Sequence, residues 1–137
     1  MKRLLFYSLL IATFFACKKE DNDDTPTPAT PVDYRDVVVG NYIGTKNNYT
    51  WIMGMPPNVY DTTYAWTFTI AKDSTSDSTI IADGYLFKVD SNLYCYELQV
   101  PGPTIRSFSF SNDTAIIYFR SGGLGGYGTT TITGIKQ

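Results

Sequence analysis

Tyr64-Ala65-Trp66-Thr67-Phe68-Thr69-Ile70 alternates large apolar side chains with small or polar ones. A period of two sends successive side chains to opposite faces of an extended strand. Tyr64, Trp66, Phe68 and Ile70 therefore share one face. β-branched and aromatic residues suit such a pleated, half-buried surface. The rhythm returns in Tyr85, Phe87 and Val89, and again in Tyr94, Tyr96, Leu98 and Val100. Trp66, Phe68, Tyr94 and Tyr96 are expected in the core on this pattern. Arg106 interrupts a face that continues as Phe108 and Phe110. Ala115 to Phe119 is a denser apolar run, and Thr129 to Ile135 is a threonine-rich closing strand.

Turn residues divide these runs. Asp83-Gly84 predicts a two-residue hairpin, because a type I′ turn needs positive φ at both central positions. Asp90-Ser91-Asn92, Pro101-Gly102-Pro103 and Ser111-Asn112-Asp113 mark further turns. No segment after Pro31 has the apolar period of a helix. Short connections make sequential strands antiparallel neighbours. Residues 32–137 thus read as one all-β domain, a meander of about eight antiparallel strands. Such a sheet closes into a small up-and-down barrel, with a β-sandwich as the alternative.

Val39-Gly40-Asn41-Tyr42-Ile43-Gly44-Thr45 and Thr131-Ile132-Thr133-Gly134-Ile135-Lys136 resemble the two edges of lipocalin-like meander domains found in Bacteroidota lipoproteins. The resemblance implies that the Gly-x-Tyr-x-Gly strand closes against the last strand.

The chain starts Met1-Lys2-Arg3, runs apolar from Leu4 to Ala16, and continues with Cys17 and an acidic stretch. A membrane-spanning helix needs about 20 apolar residues, more than this run holds. Phe14 is bulky for an ordinary A-x-A-like cleavage site. The segment resembles a bacterial lipoprotein signal, although Phe14 stands where the commonest lipobox has an aliphatic residue. The resemblance implies a signal peptide at 1–16, a lipidated (palmitate-type) Cys17 and a tether to residue 31. Lys19-Glu20-Asp21, followed by Asp23-Asp24, resembles the export signal of Bacteroidota surface lipoproteins. It implies an outer-membrane lipid anchor at the cell surface, with the periplasmic face as the alternative. Thr25-Pro26-Thr27-Pro28-Ala29-Thr30-Pro31 favours polyproline II, at about 3.1 Å per residue.

Composition excludes several functions. The net charge is −2, from 11 basic and 13 acidic residues. No basic stripe marks a nucleic-acid surface. The chain contains no histidine, which removes Ser-His-Asp and Cys-His catalysis and the commonest metal ligand. No catalytic residue, metal or cofactor is expected, and the chain does not read as an enzyme. With Cys17 lipidated, Cys95 has no disulfide partner and reads as a small buried thiol.

Tyr49, Trp51, Tyr60 and Tyr127 lie in or beside polar, Gly- or Pro-rich segments. A flat ring with a polar edge suits a glycan or another amphipathic ligand, so these four are the candidate ligand contacts. Met53 to Asn58 reads as a long loop. Gly123, Gly125 and Gly128 spell G-x-G-x-x-G, but a strand follows where a dinucleotide site needs a helix. Gly122 to Gly128 is instead expected to be a flexible hairpin loop with Tyr127 at its tip. Asp73 to Thr79 reads as a polar hairpin loop. Four short Asp-Ser/Thr motifs resemble Bacteroidota O-glycosylation sites, at Thr62, Ser74, Ser78 and Thr114. The expected function is a lipid-anchored envelope binding module for a glycan or amphipathic ligand. The alternative is an accessory lipoprotein docking to another envelope protein. The first needs an aromatic-lined concavity, the second an exposed apolar patch.

Overall fold

Eight antiparallel strands form one sheet: β1 (Gly40–Ile52), β2 (Val59–Lys72), β3 (Thr79–Ala82), β4 (Tyr85–Lys88), β5 (Cys95–Gln99), β6 (Thr104–Ser111), β7 (Thr114–Gly123) and β8 (Gly126–Lys136). Their order is β4-β3-β2-β1-β8-β7-β6-β5, so each chain neighbour pairs except β4 with β5, and β1 joins β8. The result is a nearly closed, barrel-like meander rather than a sandwich. These features come from a computed structural model that describes residues 32–54, 56, 58–99 and 103–137. The expected signal segment and tether, with Cys17, Lys19, Glu20 and Asp21, lie outside the described residues.

The turns follow their chemistry. Asp83 and Gly84 have φ of 49° and 82° and connect Ala82 directly to its partner Tyr85. Asn112 and Asp113, at 50° and 59°, do the same between Ser111 and Thr114.

The lower half of the barrel is filled with side chains. Tyr42, Phe68, Ile70, Ile80, Phe87, Phe108, Ile117 and Ile132 are buried there. The Tyr42 ring stacks on Phe68 at 5.0 Å, and its hydroxyl donates to the Val38 carbonyl at 2.6 Å. Burial pushes that phenol up to about 12. Gly44 and Gly134 face each other across β1 and β8. Phe68 occupies the space beside Gly134: a Cβ there would lie 2.5 Å from its ring.

A short 3-10 turn, Tyr34–Val37, plugs the lower end. It is an addition to the strands expected from the sequence. Asp33 caps it by accepting from the Arg35 N–H. The buried Arg35 guanidinium donates to the carbonyls of Ser76 and Thr79 and pairs with Asp33 at 2.8 Å. Lys72 reaches the same carboxylate at 3.0 Å. These partners, Arg35 first, hold the Asp33 carboxyl well below the usual carboxylate range. The Asp73–Thr79 loop is thereby closed around one guanidinium.

β5 reverses the expected inward face. Tyr94 and Tyr96 are 48% and 56% exposed, while Cys95 is buried. Register decides this: Cys95 pairs with the buried Phe108, and a one-residue shift moves every side chain to the other face. Phe87 and Phe108 belong to the same buried cluster as Cys95, with ring centres 5.8 Å apart.

Replacing Gly134 by Val should drive Phe68 from its seat. Overpacking of this kind costs about 1–3 kcal/mol. Urea unfolding should show a lower midpoint, and near-UV circular dichroism should lose part of its aromatic signal. Wild-type values for both would contradict the packing described.

Candidate functional site: a side-open cup in the upper barrel

The wall of the barrel is uneven. β1 and β2 span 13 and 14 residues, but β3 and β4 span only 4 each. β2 meets β3 only at Ile70, Ala71 and Lys72. Above that level the barrel opens beside the β3–β4 hairpin. A cleft of about 530 Å³ lies there, lined among others by Lys46, Asn48, Tyr64, Tyr85, Phe119 and Thr130.

Aromatic rings make the floor. Tyr85 meets Phe119 at 4.6 Å, and Phe119 lies 6.1 Å from the buried Phe87. Above them the same inward positions turn polar. Tyr42, Gly44, Lys46, Asn48 and Thr50 share one parity along β1, and burial ends with the polar residues. Thr130 donates its hydroxyl to Asn48 Oδ1 at 2.9 Å. Asn48 Nδ2 donates to the Tyr64 hydroxyl at 3.1 Å. Lys46 Nζ sits 4.3 Å above the Trp66 ring and 3.8 Å from Asp83 Oδ2. Trp66 Nε1–H donates to Asp83 Oδ1 at 3.1 Å. The hairpin turn thus supplies a carboxylate that orients both groups.

A second polar cluster lies on β5 and β6. Arg106 pairs with Glu97, and its guanidinium lies 6.0 Å from the Phe87 ring centre. Its Nε is buried without a hydrogen-bond partner among the described residues. Cys95 Sγ lies 3.8 Å from Glu97 Oε1. Burial first, then the Glu97 charge, pushes the thiol up to about 11.

Three of the four expected ligand contacts come together, but on the outer face. Tyr127 lies 5.8 Å from Tyr49 and 6.0 Å from Trp51. Arg120 covers Tyr127 at 4.8 Å. The neighbouring Tyr127 hydroxyl is the main cause raising the Tyr49 phenol above its ordinary value. All three rings stand on strands rather than loops. Trp51 pairs with Val59 and with Tyr127, and Ile52 N–H donates to the Asn58 carbonyl at 2.9 Å. The expected loop at Met53–Asn58 is the connection between β1 and β2. Tyr60 pairs with Thr50 and has the opposite parity. It lies on the cup side of β2, 49% exposed and apart from the other three.

Gly122 to Gly128 likewise forms strand except at Leu124 and Gly125. A Cβ on Gly126 would lie 2.4 Å from the Trp51 carbonyl. Bare backbone here lets β8 lie close to β1. The exposed tip is Leu124, fully open to solvent, instead of Tyr127. Among the four glycosylation candidates, Thr62 and Ser74 are exposed, whereas Ser78 and Thr114 are half-buried.

Lys46, Asn48, Tyr85, Phe119 and Thr130 line the cleft without standing out as site residues in the sequence. Their signal is present in part: polar residues continue the parity of Tyr42 along one inward face.

Cys95 should resist alkylation by iodoacetamide in the native chain at neutral pH and react on unfolding. Because burial and the Glu97 charge push its thiol up to about 11, the native rate should rise only as pH approaches that value. Peptide mass mapping reports the residue directly; fast labelling at neutral pH would contradict the buried site.

Comparison of the chain with family models, with curated proteins and with solved structures gives no match.

Proposed function

We propose that the chain is an envelope binding module whose upper cup takes a sugar-containing, amphipathic ligand. The observation that carries this reading is the change of the barrel's inner face from a packed apolar core to an open polar–aromatic concavity. Tyr64, Tyr85 and Phe119 offer ring faces and edges for the C–H face of a sugar. Asn48, Thr130, Lys46 and Asp83 offer donors and acceptors to its hydroxyls. The chemistry asked of the site is recognition: it binds and releases. The lipid anchor at Cys17 and outward display through Lys19, Glu20 and Asp21 belong to the same proposal, and would hold the cup at the outer membrane surface.

A second reading, docking to another envelope protein, is favoured by the outer strip of Tyr49, Trp51 and Tyr127. A groove of about 450 Å³ runs beside it, lined by Pro103, Ile105, Leu124 and Tyr127 among others.

An array of bacterial-envelope and host glycans separates the two. The wild-type chain should retain one glycan class. Asn48→Ala and Tyr64→Ala should each weaken it about tenfold or more, equivalent to ~1.4 kcal/mol, and Trp51→Ala should leave it unchanged. Retention that survives both cup variants and is lost in Trp51→Ala would move the ligand to the outer strip. No glycan retention, with an envelope protein captured through Trp51, would favour the docking reading.

A further inference from the structure

The upper half of β2 is a free edge. The Thr69 carbonyl accepts from the Asp83 N–H at 3.2 Å on the side away from β1. In an antiparallel strand one residue's N–H and C=O point to the same side, and alternate residues point to opposite sides. Thr69 therefore sets the parity. Val59, Asp61, Thr63, Ala65 and Thr67 aim their backbone groups away from β1, and no strand among the described residues takes them up. Natural sheets blunt such edges with lysine, proline, bulges or a covering element. Tyr60-Asp61-Thr62-Thr63-Tyr64-Ala65-Trp66-Thr67-Phe68 contains neither lysine nor proline. Its register with β1 runs unbroken from Trp51↔Val59 to Gly40↔Ile70, without a bulge. The other two free edges, β4 and β5, span only 4 and 5 residues.

We propose that this edge is a self-pairing site, through which two copies of the chain join antiparallel about a two-fold axis at Thr63. The occupant is a second copy because the stretch is complementary to itself, as an isologous interface requires. An axis at Thr63 matches Val59 with Thr67, Asp61 with Ala65, and Thr63 with its own copy, which uses every free backbone group named above. An axis at Asp61 would oppose two carboxylates. An axis at Ala65 would need Thr69, whose carbonyl is already taken by Asp83. In the Thr63 register Asp61, the only charge on the stretch, meets an alanine and keeps its bond from Asn47 Nδ2 at 2.6 Å. On the cup side, Tyr60 of one copy lies opposite Trp66 of the other, a stabilising class of cross-strand pair.

Sedimentation velocity on the purified chain tests this. The wild type should shift from one chain mass to two with rising concentration. Thr63→Lys, which sets two ammonium groups on the axis, should remain a monomer with unchanged circular dichroism. Thr63→Cys in a Cys17→Ser background should form an intermolecular disulfide between the two copies of position 63, because hydrogen-bonded partners sit about 5.5 Å apart at Cα, within disulfide range. Should Thr63→Lys fail to fold, the site of the Thr63→Cys crosslink decides alone. A wild type that stays monomeric at every concentration overturns the proposal. So does a dimer that Thr63→Lys leaves intact or Trp51→Ala abolishes. An edge that pairs only with a foreign extended peptide overturns it as well.

Discussion

The pairing of β1 with β8 is the constraint on which the rest of the barrel depends. Every other strand pair joins neighbours in sequence through a short connection; this one joins the first strand to the last. It places Gly44 against Gly134, and the side-chain-free space at Gly134 seats Phe68. Phe68 then stacks on Tyr42, whose hydroxyl reaches Val38 beside the 3-10 plug. One long-range register thus links closure, core and lower cap. Loop closure must come before such contacts reward it, so topology of this kind folds more slowly than helical bundles.

The same pairing builds the cup. Asn48 on β1 and Thr130 on β8 are register partners, and their side chains are hydrogen-bonded. Below them the inward positions are apolar and filled; above them they are polar and only half-buried. Polar groups withdrawn from water are costly unless paired; the half-buried Asn48, Trp66 and Asp83 all have partners, and Asn48 also reaches the exposed Tyr64 hydroxyl. The short β3–β4 hairpin leaves the cup open at the side while presenting Asp83 and Tyr85 at its lip. That lateral gap and the free edge of β2 have one cause, the difference in length between β2 and β3.

Features held in local chemistry are legible in the sequence. The alternation of 64–70, the Asp83-Gly84 turn and the Ser111-Asn112-Asp113 turn depend on adjacent residues, and the strands and hairpins follow them. β5 reads inside out from sequence because alternation reveals two faces without saying which is buried; the answer lies in its partner Phe108. Trp51 and Tyr127 stand in segments rich in glycine and proline, which mask their place on paired strands. Composition groups Tyr60 with them, yet its parity puts it on the other face. The cup residues come from distant strands, so no local window brings Lys46, Tyr85, Phe119 and Thr130 together.

The two tryptophans of the chain stand one in each candidate surface, Trp66 beside the cup and Trp51 on the outer strip. Their indole N–H signals in a two-dimensional ¹⁵N–¹H spectrum therefore report the two surfaces separately. On titration with an oligosaccharide fraction from bacterial envelope polysaccharide, the Trp66 indole should show a saturable shift with Trp51 unmoved. Movement of Trp51 with Trp66 unchanged would contradict binding in the cup.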